Sequence, residues 1–202
     1  MVCVRIFFVK LSGGLFLQRD IHYSSMYLIY FLALSLHWSY RNVFLKKFGI
    51  TNFQLGNILM FLSLVVLFSQ ILWGAIADNF GRRRVLLLQF ISLLIFLVIF
   101  GLSPNVLWAT ISLYAMSLFA GNVVSVMDSI TLDHLGEKSD KFGKIRVFGS
   151  IGWAIGNGLA AFLVMKVGLK GLMLSSAFFL FPILLSLSLI HISEPTRLLS
   201  TS

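Results

Sequence analysis

Gly74-Ala75-Ile76-Ala77-Asp78-Asn79-Phe80-Gly81-Arg82-Arg83-Arg84 stands between two runs, 48–77 and 85–127, that contain no Lys, Arg, Asp or Glu. A membrane-spanning helix needs roughly 20 mostly apolar residues, and each run meets that length. The block between them therefore reads as a loop at a membrane face. Asp78 lies at the boundary beside arginines able to pair with it. Gly81 supplies the positive φ that a tight reversal requires, and Gly74 lets a second helix approach closely.

Outward from this loop, further charge-free runs occur at 22–40, 147–165 and 171–193, and Ser103-Pro104-Asn105 breaks the long run 85–127 with a turn. The pattern predicts six helices, at about 24–44, 55–77, 85–102, 106–128, 145–165 and 172–190. Hydrophobic residues make up 58% of the 202, charged residues 11%, and the mean hydropathy is +0.95. Average soluble chains carry roughly 25% charged residues. A soluble globule is excluded; the expected fold class is an all-α membrane protein, with the lipid bilayer as its first partner.

The net charge of +9 does not indicate a nucleic-acid partner, because the 16 Lys and Arg fall in short clusters between apolar runs. A nucleic-acid surface needs them along one water-exposed face with polar residues interleaved. The clusters instead orient the helices. Arg82, Arg83, Arg84, Lys138, Lys141, Lys144 and Arg146 share one side with Arg5, Lys10 and Arg19, against Lys46, Lys47, Lys166 and Lys170 on the other. The richer side is the cytoplasmic one. The N-terminus is accordingly expected in the cytoplasm, and the protein in the plasma membrane, the inner membrane of a bacterium. Cys3 is the only cysteine, so neither an internal disulfide nor a thiolate metal cluster is expected. HExxH, GxGxxG with a following ribose acid, P-loop and GxSxG patterns are missing, which weighs against an enzyme.

The ends read differently from the middle. Residues 1–25 form a basic, mixed cytoplasmic tail, and Met26, which opens the first good helix, is a plausible start; 26–186 is the transmembrane unit. Leu187-Ser188-Leu189-Ile190-His191-Ile192-Ser193-Glu194-Pro195-Thr196-Arg197 resembles the conceptual translation of a transposase adapter used in sequencing libraries, so 187–202 is expected to be non-native read-through.

Two segments carry chemistry. In Asp140-Lys141-Phe142-Gly143-Lys144-Ile145-Arg146-Val147-Phe148-Gly149-Ser150-Ile151-Gly152-Trp153, helical spacing puts Arg146, Ser150, Trp153 and Asn157 on one face. Gly149, Gly152 and Gly156 form a neighbouring stripe for helix packing. Asp128 is the one acid inside the fourth apolar run. A carboxylate there is costly unless paired or facing water, which makes it a functional candidate. On the first helix, His37 is expected to hydrogen-bond between helices rather than relay protons. Arg41 either snorkels to the outer interface with Lys46 and Lys47 or reaches a pocket. Trp73 and Trp108 read as interfacial anchors.

The Gly74, Asp78, Gly81, Arg82, Arg83, Arg84 pattern resembles the G-x-x-x-D-x-x-G-R-R-R loop of the major facilitator superfamily, with Asn79 where a basic residue is usual. The Phe142–Trp153 segment is similar to F-G-x-x-R-x-F-G-x-x-G-W in the lactose permease (oligosaccharide:proton symporter) group, and nucleoside:proton symporters share the arginine. The resemblance implies a six-helix N-terminal bundle, a 3+3 inverted repeat, from a twelve-helix carrier whose C-terminal six-helix bundle is missing here. It implies that Asp128 pairs with Arg146, that both bind a small-molecule solute, and that Trp153 stacks on a sugar ring. Asp128 stands where that group has Glu and reaches about one methylene less, which puts galactoside specificity in question. The function implied is proton-coupled sugar or oligosaccharide uptake by alternating access, with a proton gradient as energy source and no cofactor. Nucleosides or aromatic acids are the alternative solutes. A non-transporting scaffold or sensor is the alternative of another class, and has no reason to bury Arg146, Asp128 and Asn157 on facing surfaces.

Overall fold

The computed structural model describes residues 18–193, with side chains described from 20 to 184. Its elements are α1 (Gln18–Lys46), α2 (Asn52–Phe80), α3 (Arg82–Leu102), α4 (Val106–Ala120), α5 (Val123–Leu135), a 3-10 turn (Gly136–Lys141) and α6 (Phe142–Ser193). No strand occurs among the described residues. The protein is an all-α membrane protein. Among the described residues, Asn52–Phe80, Arg82–Leu102 and the run Val106–Leu184 are long and apolar enough to cross a bilayer.

Local chemistry sets the boundaries. Thr51 caps α2 reciprocally: its hydroxyl accepts from the Gln54 amide at 3.2 Å, and its own amide donates to Gln54 Oε1 at 2.9 Å. Gly81, at φ 89°, is the single residue between α2 and α3, the reversal its position predicts. The turn at 103–105 also forms, and the Asn105 side chain caps α4 by accepting from the Trp108 amide at 3.1 Å.

The helices differ from expectation in three places. α1 opens at Gln18 rather than near 24, and Asp20 and Ser24 are buried. The fourth expected helix, 106–128, is interrupted at 121–122 and resumes to Leu135. The Leu118 carbonyl would accept from the Asn122 amide in an unbroken helix; here it accepts the Trp73 indole N–H at 2.7 Å. At Gly121 an added Cβ would stand 2.9 Å from Ser69 Oγ, so α2 closes on the break. Trp73 is thus a tie between α2 and α4, not the interfacial anchor expected; Trp108 is 54% exposed beside the 103–105 turn. Finally, the expected helices at 145–165 and 172–190 lie in one element, interrupted at Gly168 (φ 70°, ψ −179°). A Cβ at Gly168 would meet nothing, so its glycine is needed for conformation rather than space. Residues 1–17, and 194–202 from the segment expected to be read-through, lie outside the described residues; 187–193 continue α6.

The core lies among α1, α3, α4, α5 and α6, where Tyr27, Leu36, Phe44, Leu86, Phe90, Phe100, Leu113, Met127, Ile145 and Leu172 are fully buried. α2 is peripheral, burying only Leu62, Ser69 and Ala77. Its exposed Phe61, Leu64, Leu67, Phe68 and Ile71 present an apolar surface suited to lipid or another helix.

The α1–α6 packing positions the site. A Cβ on Gly149 would stand 2.8 Å from the Phe31 ring; on Gly152 it would run into the Leu28 carbonyl, and on Gly156 into Ser35 Oγ. Only glycine lets the two backbones come this close. Gly74 is otherwise: nothing stands within 4 Å of an added Cβ, so no helix among the described residues uses the close approach expected there.

Candidate solute-binding site

Asp128 on α5 and Arg146 in the first turns of α6 face each other, with Arg146 Nη1 3.3 Å from Asp128 Oδ1. Both side chains are about one-third exposed (35% and 28%), so the pair is neither sealed in the core nor fully solvated. The Tyr27 hydroxyl of α1 donates to the same Oδ1 at 2.6 Å and lies 3.4 Å from the Thr131 hydroxyl. The guanidinium carbon of Arg146 lies 5.3 Å from the Tyr27 ring centre and 5.2 Å from that of Phe31, within cation–π range. Arg146 is thus held by one charge and two rings. Its remaining N–H groups are available to an oxygen-rich solute.

An aromatic strip continues the face along α1. The Phe31 and Trp153 rings are 6.3 Å apart, the Trp153 and Trp38 rings 6.4 Å. The Arg41 guanidinium lies over Trp38 at 4.4 Å. Asn157 accepts a hydrogen bond from the Ser39 hydroxyl. Ser150 is exposed on the same helix as Arg146 and Trp153. Asp128, Arg146, Trp153 and Arg41 are therefore linked into one strip, and Asn157 is tied to α1 beside it. Arg41 is only 7% exposed while Lys46 and Lys47 are exposed, so it does not snorkel. His37 departs from expectation: its ring is 2% exposed, packs edge-on to Phe100 at 5.3 Å, and neither ring nitrogen has a hydrogen-bond partner among the described residues.

At the other end of the bundle, Arg82 reaches Asp133 at the end of α5 (2.5 Å) and Asp78 one turn back (3.7 Å). Arg83 and Arg84 are exposed. Beside this cluster His134 lies 3.1 Å from buried Asp20 of α1, and Tyr23 stacks on the His134 ring at 4.7 Å. Neither the Asp133 nor the Asp20 contact was expected. The detectable signal was Tyr27, Phe31, Trp38 and Asn42 at i, i+4, i+11 and i+15, one face of α1.

No group of three or more His, Cys, Asp or Glu among the described residues is arranged to hold a metal.

No solved structure matches the chain. Three curated proteins resemble it. Maltose permease of Geobacillus stearothermophilus is 26% identical over 132 residues, covering 64% of this chain and 33% of that protein. A protein named "Probable 3-phenylpropionic acid transporter" from Escherichia coli (strain K12) is 27% identical over 140 residues, covering 68% and 37%. Protein ZINC INDUCED FACILITATOR-LIKE 1 of Arabidopsis thaliana is 37% identical over 54 residues, 27% of this chain and 11% of that protein. The chain spans about a third of the first and second of these relatives. The profile of the MFS_1 like family matches residues 21–199, most of the chain. With an all-helical membrane fold, an Asp–Arg pair on a half-buried face and this match, the chain belongs to the MFS_1 like family of the major facilitator superfamily, whose members are transporters and not enzymes.

Proposed function

We propose that the chain forms the N-terminal six-span bundle, a 3+3 inverted repeat, of a two-bundle carrier that moves a small ring-bearing hydrophilic solute by alternating access, driven by protons. The first choice of solute is a sugar or oligosaccharide. The observation that carries this reading is the Asp128–Arg146 pair, bracketed by Tyr27, Phe31 and Trp153. A charged pair costs free energy near a membrane interior, and it is retained where it meets solute or water. Sugar hydroxyls both donate and accept, so they suit a carboxylate and a guanidinium side by side. An indole offers a flat apolar face to the ring. The likeness to a maltose permease supports the sugar.

Six spans follow if the breaks at 121–122 and Gly168 are read differently, the first as a kink within one span and the second as a turn between two. The polar side of α1 then faces the second bundle, with solute between the two. The N-terminus lies in the cytoplasm and the membrane is the bacterial inner membrane, supported by the arginines and lysines of the 82–84 and 138–146 loops. Aromatic acids are the second reading, supported by the strip Phe31, Trp153, Trp38 and by the relative named for 3-phenylpropionic acid.

The test is uptake by vesicles carrying the full-length protein. A proton gradient, acid outside, is expected to drive accumulation of labelled maltose or labelled 3-phenylpropanoate, and a protonophore to abolish it. Equal uptake with and without the gradient, at the level of vesicles lacking the protein, contradicts the reading.

A further inference from the structure

Charge is distributed unevenly along the strip. Arg146 has Asp128 opposite it, whereas Arg41 has no carboxylate within ion-pair distance among the described residues. Its contacts there are the Trp38 face at 4.4 Å and the Asn42 side-chain oxygen, 3.4 Å from its Nε. Neither carries a countercharge. Fourteen residues of helix separate Arg41 from Tyr27, the partner of Asp128, about 21 Å along α1, so Asp128 cannot neutralise both arginines. A guanidinium does not lose its proton in proteins, and at 7% exposure water compensates this one poorly. The strip therefore ends in a fixed positive charge over Trp38, whose ring is 6.4 Å from that of Trp153.

We propose that Arg41 is the carboxylate-binding residue of the solute site and that the solute is a ring-bearing carboxylate. The ring lies against Trp153 and Trp38, and the carboxylate takes the Nη groups of Arg41 as a two-pronged acceptor, the geometry a guanidinium matches best. Both a sugar acid and an arylalkanoate have this chemistry. Their rings separate them: a sugar acid carries hydroxyls, whereas an arylalkanoate presents only an apolar face to the indoles. This inference rests on the strip being the solute site, and refines which solutes enter it.

The experiment is equilibrium binding to the full-length protein in lipid nanodiscs, with four labelled probes: glucuronate, 3-phenylpropanoate, its neutral amide, and maltose. The expected result is that one or both carboxylates bind at least about tenfold more tightly than the amide, the order of one charge-assisted interaction. Arg41→Gln is expected to remove that preference by weakening carboxylate binding more than amide binding, and Arg41→Lys to restore part of it. Tighter binding of glucuronate than of 3-phenylpropanoate identifies a sugar acid, and the reverse order an arylalkanoate. Comparison of acid with amide needs no variant, so it stands even if Arg41→Gln fails to fold. Equal binding of acid and amide overturns the inference. So does maltose binding alone, which leaves the transport reading intact. Binding of none of the four overturns both.

Discussion

At the residue scale, Tyr27 is the group whose removal separates positioning from charge. Tyr27→Phe keeps the ring under Arg146 and deletes the hydroxyl that donates to Asp128. Asp128 is partly exposed, so water recovers part of the loss. The expected cost is about 1 kcal/mol, seen as an approximately fivefold rise in solute Kd with unchanged thermal stability. Unchanged binding would show that the hydroxyl does not position the carboxylate. The sequence makes Asp128, Arg146 and Trp153 legible because a charge or an indole in an apolar run is rare and costly. Tyr27 and Phe31 escape because aromatic residues fill the apolar runs throughout, and their shared face with Trp38 and Asn42 gains meaning only once Arg146 is seen beside it. Asp133 and Asp20 escape for a related reason: acids near a loop read as solvated until a partner from another helix is seen to reach them.

At the element scale, the α1–α6 contact rests on the absence of side chains. Gly152→Ala would drive a Cβ into the Leu28 carbonyl, whereas a Cβ at Gly158, two turns on, meets nothing. Gly152→Ala is expected to destabilise the bundle by about 1–3 kcal/mol, read as a lowered unfolding temperature in detergent. Gly158→Ala is expected to leave it unchanged or slightly raise it, since alanine favours helix. Equal effects of the two would contradict close backbone packing. Hydrophobic runs mark which residues are helical, but not which glycines separate, bend or pack. Gly168, Gly121 and Gly152 are alike in sequence; one is set by φ, one by an intruding Trp73 and Ser69, one by a neighbouring backbone. For Gly121 and Gly152 the distinction depends on partners, Ser69 and Leu28, far along the chain and beyond any local pattern.

At the scale of the whole molecule, the reading makes a topological prediction. In a Cys3→Ser background, cysteines at Arg83 and Lys141 are expected to be labelled by an impermeant thiol reagent from the cytoplasmic side only. Cysteines at Lys46, Pro104 and Lys170 are expected to be labelled from the outside only. Labelling of position 104 from the cytoplasm would overturn the six-span arrangement. The membrane class and the helical fold follow from composition and run length alone, since 11% charged residues cannot clothe a soluble protein of this size.

The central claim is that the Asp128–Arg146 face binds the transported solute, and proton-driven uptake by Arg146→Lys, measured beside wild type in vesicles of equal protein content, tests it most directly. Lysine keeps the charge but lacks the planar fork that meets a carboxylate and solute oxygens together. The account predicts loss of accumulation of the solute that wild type concentrates, with insertion and labelling topology unchanged. Uptake at the wild-type rate by Arg146→Lys, and again by Arg146→Ala, would reduce the pair to a strut between α5 and α6 and contradict the account.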